Sequence, residues 1–304
     1  MAGPNINGES RVVARQSMPG STQGTTWLAP SGSRMVHAFP NATIPQVEIN
    51  ACEIASSSSW GSPTAVLGTS RGLYHYGSGD ISPLTRENSR QRKQHPKYRP
   101  PFHGDVLSVD YLDPSSSDDR KILAGTRSGH ICLVDSRTSP AEWETSIFKH
   151  TSSVSHLKSL SYNGKPHEIL AAGPRSAMAI YDVRFLLKRH SQDHPVGTHE
   201  GGAKWDRPAL PVVRFPEYRN EAHIQTGLDV LAEPGYGCGV VAAAHDDFTI
   251  GVYSMRDGSR LDAGDVDKIK APGVVKSLAW KRLPGDSHPS LFVGVGSVIK
   301  KYSF

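Results

Sequence analysis

The stretch Asp105-VLSVDYL, Lys121-ILAGT, Arg127-SGH and Ile131-CLVDSR decides the fold. In its first part Val106, Ser108 and Asp110 alternate with Leu107, Val109 and Tyr111, the period of two that gives a strand two unlike faces. The run from Ile122 to Gly125 is apolar without a break and turns to small residues, as expected of a strand covered on both sides near a crowded axis. Ser128-Gly129 is the kind of polar pair that closes a two-residue hairpin. The last strand ends on an apolar residue followed by a polar one, Val134-Asp135.

The same order of features recurs along the chain. It returns in Ser153-VSHLKSLSY, Glu168-ILAAG, Pro174-RSA and Met178-AIYDVR, and again in Gly227-LDVLAE, Gly239-VVAAA, His245-DDF and Thr249-IGVYSMRDG. A further copy is Val274-VKSLAW, Leu291-FVGVG and Val298-IKKYSF, and a fainter first one is Val47-EINACEI, Ala65-VLGT and Leu73-YHY. A sheet of this kind has two apolar faces and cannot stand alone, whereas copies packed side by side around a ring bury both. The expected class is all-β: a β-propeller with five recognisable blades, divergent ones bringing the ring to six or seven.

The copies begin near Val47, Val106, Val154, Gly227 and Val274, with gaps of 59, 48, 73 and 47 residues. A blade needs about 40–45 residues, so the two long gaps hold insertions: a basic loop at 78–104 and a Pro- and His-rich segment at 187–221. Alternatively, Val212-Val213-Arg214-Phe215 in the second gap forms the outer strand of a degenerate blade. Residues 1–45 read as a mostly flexible segment ahead of a propeller over 46–304, with Trp27-LAPSGSRMVHAF a candidate outer strand for closing the ring.

Composition agrees. Hydrophobic residues are 37% of the 304, with 29 Gly and 22 Pro, a turn-rich balance that suits strands better than a helical bundle. Cys52, Cys132 and Cys238 are an odd, widely spaced set, which argues against a disulfide framework and a cysteine zinc site and for buried free thiols. No apolar signal core opens the chain and no run approaches a membrane span, so a nuclear or cytoplasmic location and no membrane partner are expected. The net charge of +5 is matched by one stretch alone, Arg86 to Arg99, where six Lys or Arg face one Glu. This stretch, with Arg90, Arg92, Lys93, Lys97 and Arg99, reads as a solvated loop, a nuclear-import signal, or a contact for nucleic acid or an acidic partner.

The copies resemble WD repeats, in which a Gly-His pair precedes the first strand and a Trp-Asp pair ends the third. Here His103-Gly104 precedes the second copy and His150 the third, and the Trp-Asp position reads Val134-Asp135, Tyr181-Asp182, Tyr253-Ser254 and Tyr302-Ser303. Asp135-Ser136-Arg137 and Asp182-Val183-Arg184 are similar to the Trp-Asp-x-Arg box of the substrate receptors of cullin-4 RING ubiquitin ligases. Residues 105–304 resemble in order and wording the fourth group of the associated factors of that ligase. The resemblance implies a non-enzymatic scaffold that docks on the ligase adaptor through Asp135, Arg137, Asp182 and Arg184 and carries an unknown substrate, with no cofactor and no small-molecule substrate. The arginines would offer bidentate donors to a partner carboxylate or carbonyl. An Asp-x-Arg pair can equally be a salt bridge internal to its blade. The other reading of function is a generic WD-repeat scaffold in a nuclear chromatin or RNA-processing complex, touching nucleic acid through the basic loop.

Catalytic signals are weak by comparison. Gly235-Tyr-Gly-Cys-Gly239 precedes a strand, whereas a dinucleotide loop follows one and opens a helix. His190, His194 and His199 have no patterned fourth ligand. Trp60, Trp143, Trp205 and Trp280 are read as blade packing.

Overall fold

The computed structural model describes residues 48–55, 64–77, 80–85, 104–112, 121–138, 147–161, 165–184, 209–231 and 239–303. The first sheet is built of β1 (Ile49–Ile54), β2 (Thr64–Thr69), β3 (Gly72–Gly77) and β4 (Asp80–Pro83). The second comprises β5 (Val106–Tyr111), β6 (Lys121–Thr126), β7 (His130–Asp135) and β8 (Ile147–Lys149), and the third β9 (His156–Ser159), β10 (Glu168–Gly173), β11 (Ala177–Asp182) and β12 (Val213–Arg214). The fourth contains β13 (Leu228–Leu231), β14 (Val240–Ala244), β15 (Ile250–Ser254) and β16 (Arg260–Leu261), and the fifth β17 (Leu278–Lys281), β18 (Ser290–Val295) and β19 (Val298–Ser303). In every sheet each strand pairs antiparallel with its sequence neighbour. These sheets are the blades of a β-propeller.

The unbroken apolar runs explain the stacking. In β6, Ile122 and Ala124 pack toward the first sheet, in one core with Val66, Leu73 and Val109. Leu123, between them, packs toward the third sheet with Leu157, Ile169 and Ala171. The pattern then steps on: Leu170 and Ala172 join Val241 and Ala243, and Ala242 and Ala244 join Leu278, Trp280, Leu291 and Val293. Each second strand thus places alternate side chains in two successive seams, which a period of two makes possible only when both faces are covered. Trp280 packs between blades, as expected. Trp60, Trp143 and Trp205 lie outside the described residues.

Close approach of the chain entering β9 to the end of β10 needs a glycine. A Cβ on Gly173 would collide with the carbonyl oxygen of Ser153, a backbone atom that cannot rotate away. Gly173→Ala is expected to cost about 2–3 kcal/mol, read as a lowered urea midpoint with an unchanged slope; a loss below about 0.5 kcal/mol would show that the strand end is not tightly seated.

The structure revises several expectations. Val213 and Arg214 are the outer strand of the third sheet, paired with Ile180 and Ala179, so these residues complete an existing blade and do not begin a degenerate one. Asp80–Pro83, within the stretch read as basic loop, is the outer strand of the first sheet. The turns at Ser128-Gly129 and Asp246-Asp247 span 127–129 and 245–249, longer than two residues, because Gly129 takes a φ of 88° and Phe248 one of 69° to bring the strands round. Cys132 is buried, but Cys52 is exposed. It alternates with Ala51, which packs toward the second sheet, so its thiol points to the other side of the first sheet. Among the described residues that side shares no core with the fifth sheet, and Cys238 lies outside them.

Candidate docking face

The third strands carry equivalent residues in register. Tyr76, Val134, Tyr181, Tyr253 and Tyr302 each face the second residue of the preceding strand: Ala65, Ile122, Ile169, Val241 and Leu291. The aromatic rings take the place of the Trp in the repeat signature and add a polar handle. Tyr181 meets His150 through a 2.7 Å bond between its hydroxyl and Nδ1, and Tyr253 meets His245 Nε2 at 2.6 Å while donating to the Glu217 carbonyl. Burial pushes the tyrosine hydroxyls up and the two imidazoles down to about 4, so the histidines are neutral at pH 7.

Immediately after these strands come the Asp-x-Arg boxes, and the two have one geometry. Asp135 Oδ1 accepts the Arg137 backbone N–H at 3.0 Å, which closes the turn, and Arg137 folds back on it with Nε to Oδ1 at 2.8 Å and Nη2 to Oδ2 at 2.5 Å. Asp182 and Arg184 repeat this at 2.9, 3.1 and 2.6 Å. The arginine hydrogen bonds hold both carboxyls below the usual range. Each box is therefore a fork inside its own blade, with the aspartate holding the turn and orienting the arginine. The arginine side chains remain 44% and 57% exposed.

The register reveals a third member that the sequence pattern did not. Tyr253-Ser254-Met255-Arg256 occupies the same place on the fourth blade, with the Arg256 backbone N–H donating to Ser254 Oγ at 3.3 Å. Serine keeps the turn but supplies no charge, and among the described residues no carboxylate forms an ion pair with the exposed Arg256. Three successive blades thus present an arginine on one face. The tyrosine three residues before each of Arg184 and Arg256 was the available signal. The basic residues Arg90, Arg92, Lys93, Lys97 and Arg99 lie outside the described residues, as do His190, His194 and His199.

The blades converge on an axis lined with charge. Glu53, Asp110, Lys158, Asp229 and Ala279 hold one register position on the five first strands, opposite Val66, Leu123, Leu170, Ala242 and Phe292. Asp110 Oδ2 accepts the Ser159 N–H from the next blade at 2.7 Å, and Asp229 Oδ2 does the same for Trp280. Lys158 lies 4.0 Å from Glu53 and also acts on Asp110 and Asp229. Burial raises all three carboxyls, and Lys158 works against it. Among the described residues no group of three or more His, Cys, Asp or Glu is placed to hold a metal ion, and no helix is long and apolar enough to cross a membrane.

No family model matches the sequence, and no curated protein matches it. Among solved structures the chain is similar to the WD40 β-propeller domain of Doa1, with a TM-score of 0.48 and 13% identity over 79% of this chain and 60% of that one. It is similar also to a chain of the mitotic checkpoint complex (0.46, 16%, 94% and 69%) and to the computationally designed Ika4 protein (0.39, 15%, 60% and 84%). These likenesses are loose; the propeller is defined by its own strand pairing and by the shared axis.

Proposed function

We propose that the protein is a non-enzymatic WD-repeat scaffold, acting in the nucleus or cytoplasm, that docks on the adaptor of a cullin-4 RING ubiquitin ligase and presents a substrate to it. The observation that supports this reading is the identical Asp–Arg fork on two neighbouring blades, continued by Arg256 on a third. A guanidinium held by its own aspartate keeps a fixed direction, so little freedom is lost when a partner carboxylate or carbonyl meets its exposed part. The scaffold acts by raising the local concentration of its cargo near the ubiquitin-loaded enzyme, and needs no cofactor.

Arg137→Ala with Arg184→Ala is expected to abolish co-purification with the adaptor and to leave the melting temperature nearly unchanged, since both side chains are about half exposed and exposed ion pairs contribute little. Arg256→Ala alone is expected to weaken capture roughly tenfold and flatten its salt dependence, because it removes the one arginine of the row that no aspartate holds in a fork. Undiminished adaptor capture by the double variant would refute the reading.

A further inference from the structure

At the end of the blades opposite the arginine face, the first strands open into a cavity of about 790 Å³. Arg127 and Arg137 stand at the two ends of β7, whose six residues span about 20 Å, so the two sites are separate. We propose that this channel mouth binds an acidic peptide segment of a partner protein, a role that neither depends on adaptor docking nor follows from it.

Charge is the first argument. Arg127 and Lys276 border the cavity, with His156 beside them held neutral by burial, and among the described residues that line it there is no Asp or Glu. Asp105 pairs with Arg127 Nε at 2.5 Å from outside the lining and also accepts from Asn50, so Arg127 is partly compensated. Lys276 is exposed and has no ion-pair partner among the described residues. The carboxylates of the axis lie deeper. Glu53 and Asp229 are three residues further along their strands than Asn50 and Thr226, about 10 Å by strand rise, which is near the screening length at physiological salt. They are also occupied by Lys158 and a backbone N–H. An acidic side chain at the rim therefore meets Lys276 and the partly compensated Arg127 before the carboxylates of the axis.

The second argument is rigidity. The segment 219–226 crosses the mouth and is tied down at both ends. Asn220, fully buried, donates to the Tyr218 hydroxyl and the His223 carbonyl and accepts the His223 N–H. The Asn220 and Glu221 carbonyls accept the N–H groups of Ser176 and Arg175, which sit at positive φ in the third blade's turn. Asp246 takes the Glu221 N–H from the fourth blade, and His156 Nε2 meets Thr226 Oγ1 at 3.3 Å. A mouth fixed by two neighbouring blades is already in its binding shape, which removes much of the ordering cost of association. The third argument is the make-up of the lining: among the described residues it contains no Phe, Tyr or Trp on which a nucleobase could stack, which favours carboxylates over single-stranded nucleic acid.

The test is fluorescence anisotropy of the full chain with a labelled octapeptide of alternating Glu-Asp and Gly-Ser pairs. Saturable 1:1 binding is expected, about tenfold weaker in Lys276→Glu and several-fold weaker in Arg127→Gln. Binding should be within about twofold of wild type when Arg90, Arg92, Lys93, Lys97 and Arg99 are all changed to Ser, and in the Arg137→Ala, Arg184→Ala variant. Circular dichroism of Lys276→Glu, an exposed site, checks that the fold is kept. The proposal is overturned if the octapeptide does not bind, if Lys276→Glu binds it as wild type does, or if the loss follows the basic segment. It is overturned equally if a single-stranded oligonucleotide binds more tightly than the peptide and loses that binding in Lys276→Glu.

Discussion

Asp110→Ala and Asp229→Ala are expected to destabilise the protein by about 2–3 kcal/mol each and, combined, to remove about 5 kcal/mol, a large part of the stability of an ordinary domain. Each carboxylate bridges one blade to the next by accepting a backbone N–H, of Ser159 in one seam and of Trp280 in another. Alanine leaves that N–H without its acceptor in a buried seam, and the two seams are distinct, so the losses should nearly add. The opposing effect is that a buried charge is itself costly, which the raised carboxyls express. Asparagine separates the two. It retains an oxygen acceptor without the charge, so Asp110→Asn and Asp229→Asn should lose less than half as much in urea unfolding. If alanine at both positions behaves as a surface change, within about 0.5 kcal/mol, the bridges do not hold the ring.

The second large effect is acid lability. His150, His156 and His245 are held neutral, with pKa values lowered from 6.5 to about 4, chiefly by burial. In the unfolded chain they titrate near 6.5, so below that pH unfolding takes up protons. The stabilisation is therefore intact above about pH 6.5 and is lost as the pH falls toward 4, at up to about 1.4 kcal/mol per group per pH unit, or about 2 kcal/mol each by pH 5. Glu53, Asp110 and Asp229 act in the opposite direction, because their raised carboxyls accept protons in the folded state before they would in the unfolded one. They offset part of the loss in the more acidic half of the range. A melting temperature lower by on the order of 10 °C at pH 5 than at pH 7.5 is expected. A change under about 2 °C would mean that the imidazoles are not shielded as described.

The features that reveal the blades in the sequence are those that local chemistry controls. The runs Ile122–Gly125, Leu170–Gly173 and Val241–Ala244 are apolar at consecutive positions, and only a strand between two neighbours can use both sides of such a run. The Asp-x-Arg boxes were legible for a similar reason, since an aspartate two residues before an arginine can close a turn by itself. What could not be seen depends on the ring. Asp110 in an alternating strand reads as a solvent-facing residue, because nothing nearby in the chain shows that the polar side of a first strand looks into a shared axis. Lys158 meets Glu53 across 105 residues of chain. Arg256 was hidden by Ser254, which preserves the turn while breaking the written pattern. Cys52 was misjudged because its side of the first sheet is covered only if another element reaches it.

Among the described residues the fifth sheet has three strands where the others have four, and β19 runs along its outer side with Val298 and Ile299 53% and 74% exposed. Backbone donors and acceptors on such a border will accept any extended chain of suitable length. Wherever no other strand covers it, this border favours chain-to-chain adhesion in concentrated solution, and the exposed Lys300 acts as a gatekeeper whose charge holds two such borders apart, while Lys301 is paired with Asp286. Screening by salt weakens that guard, so handling at low ionic strength keeps the molecules separate, and acetylation of Lys300 would bring them together.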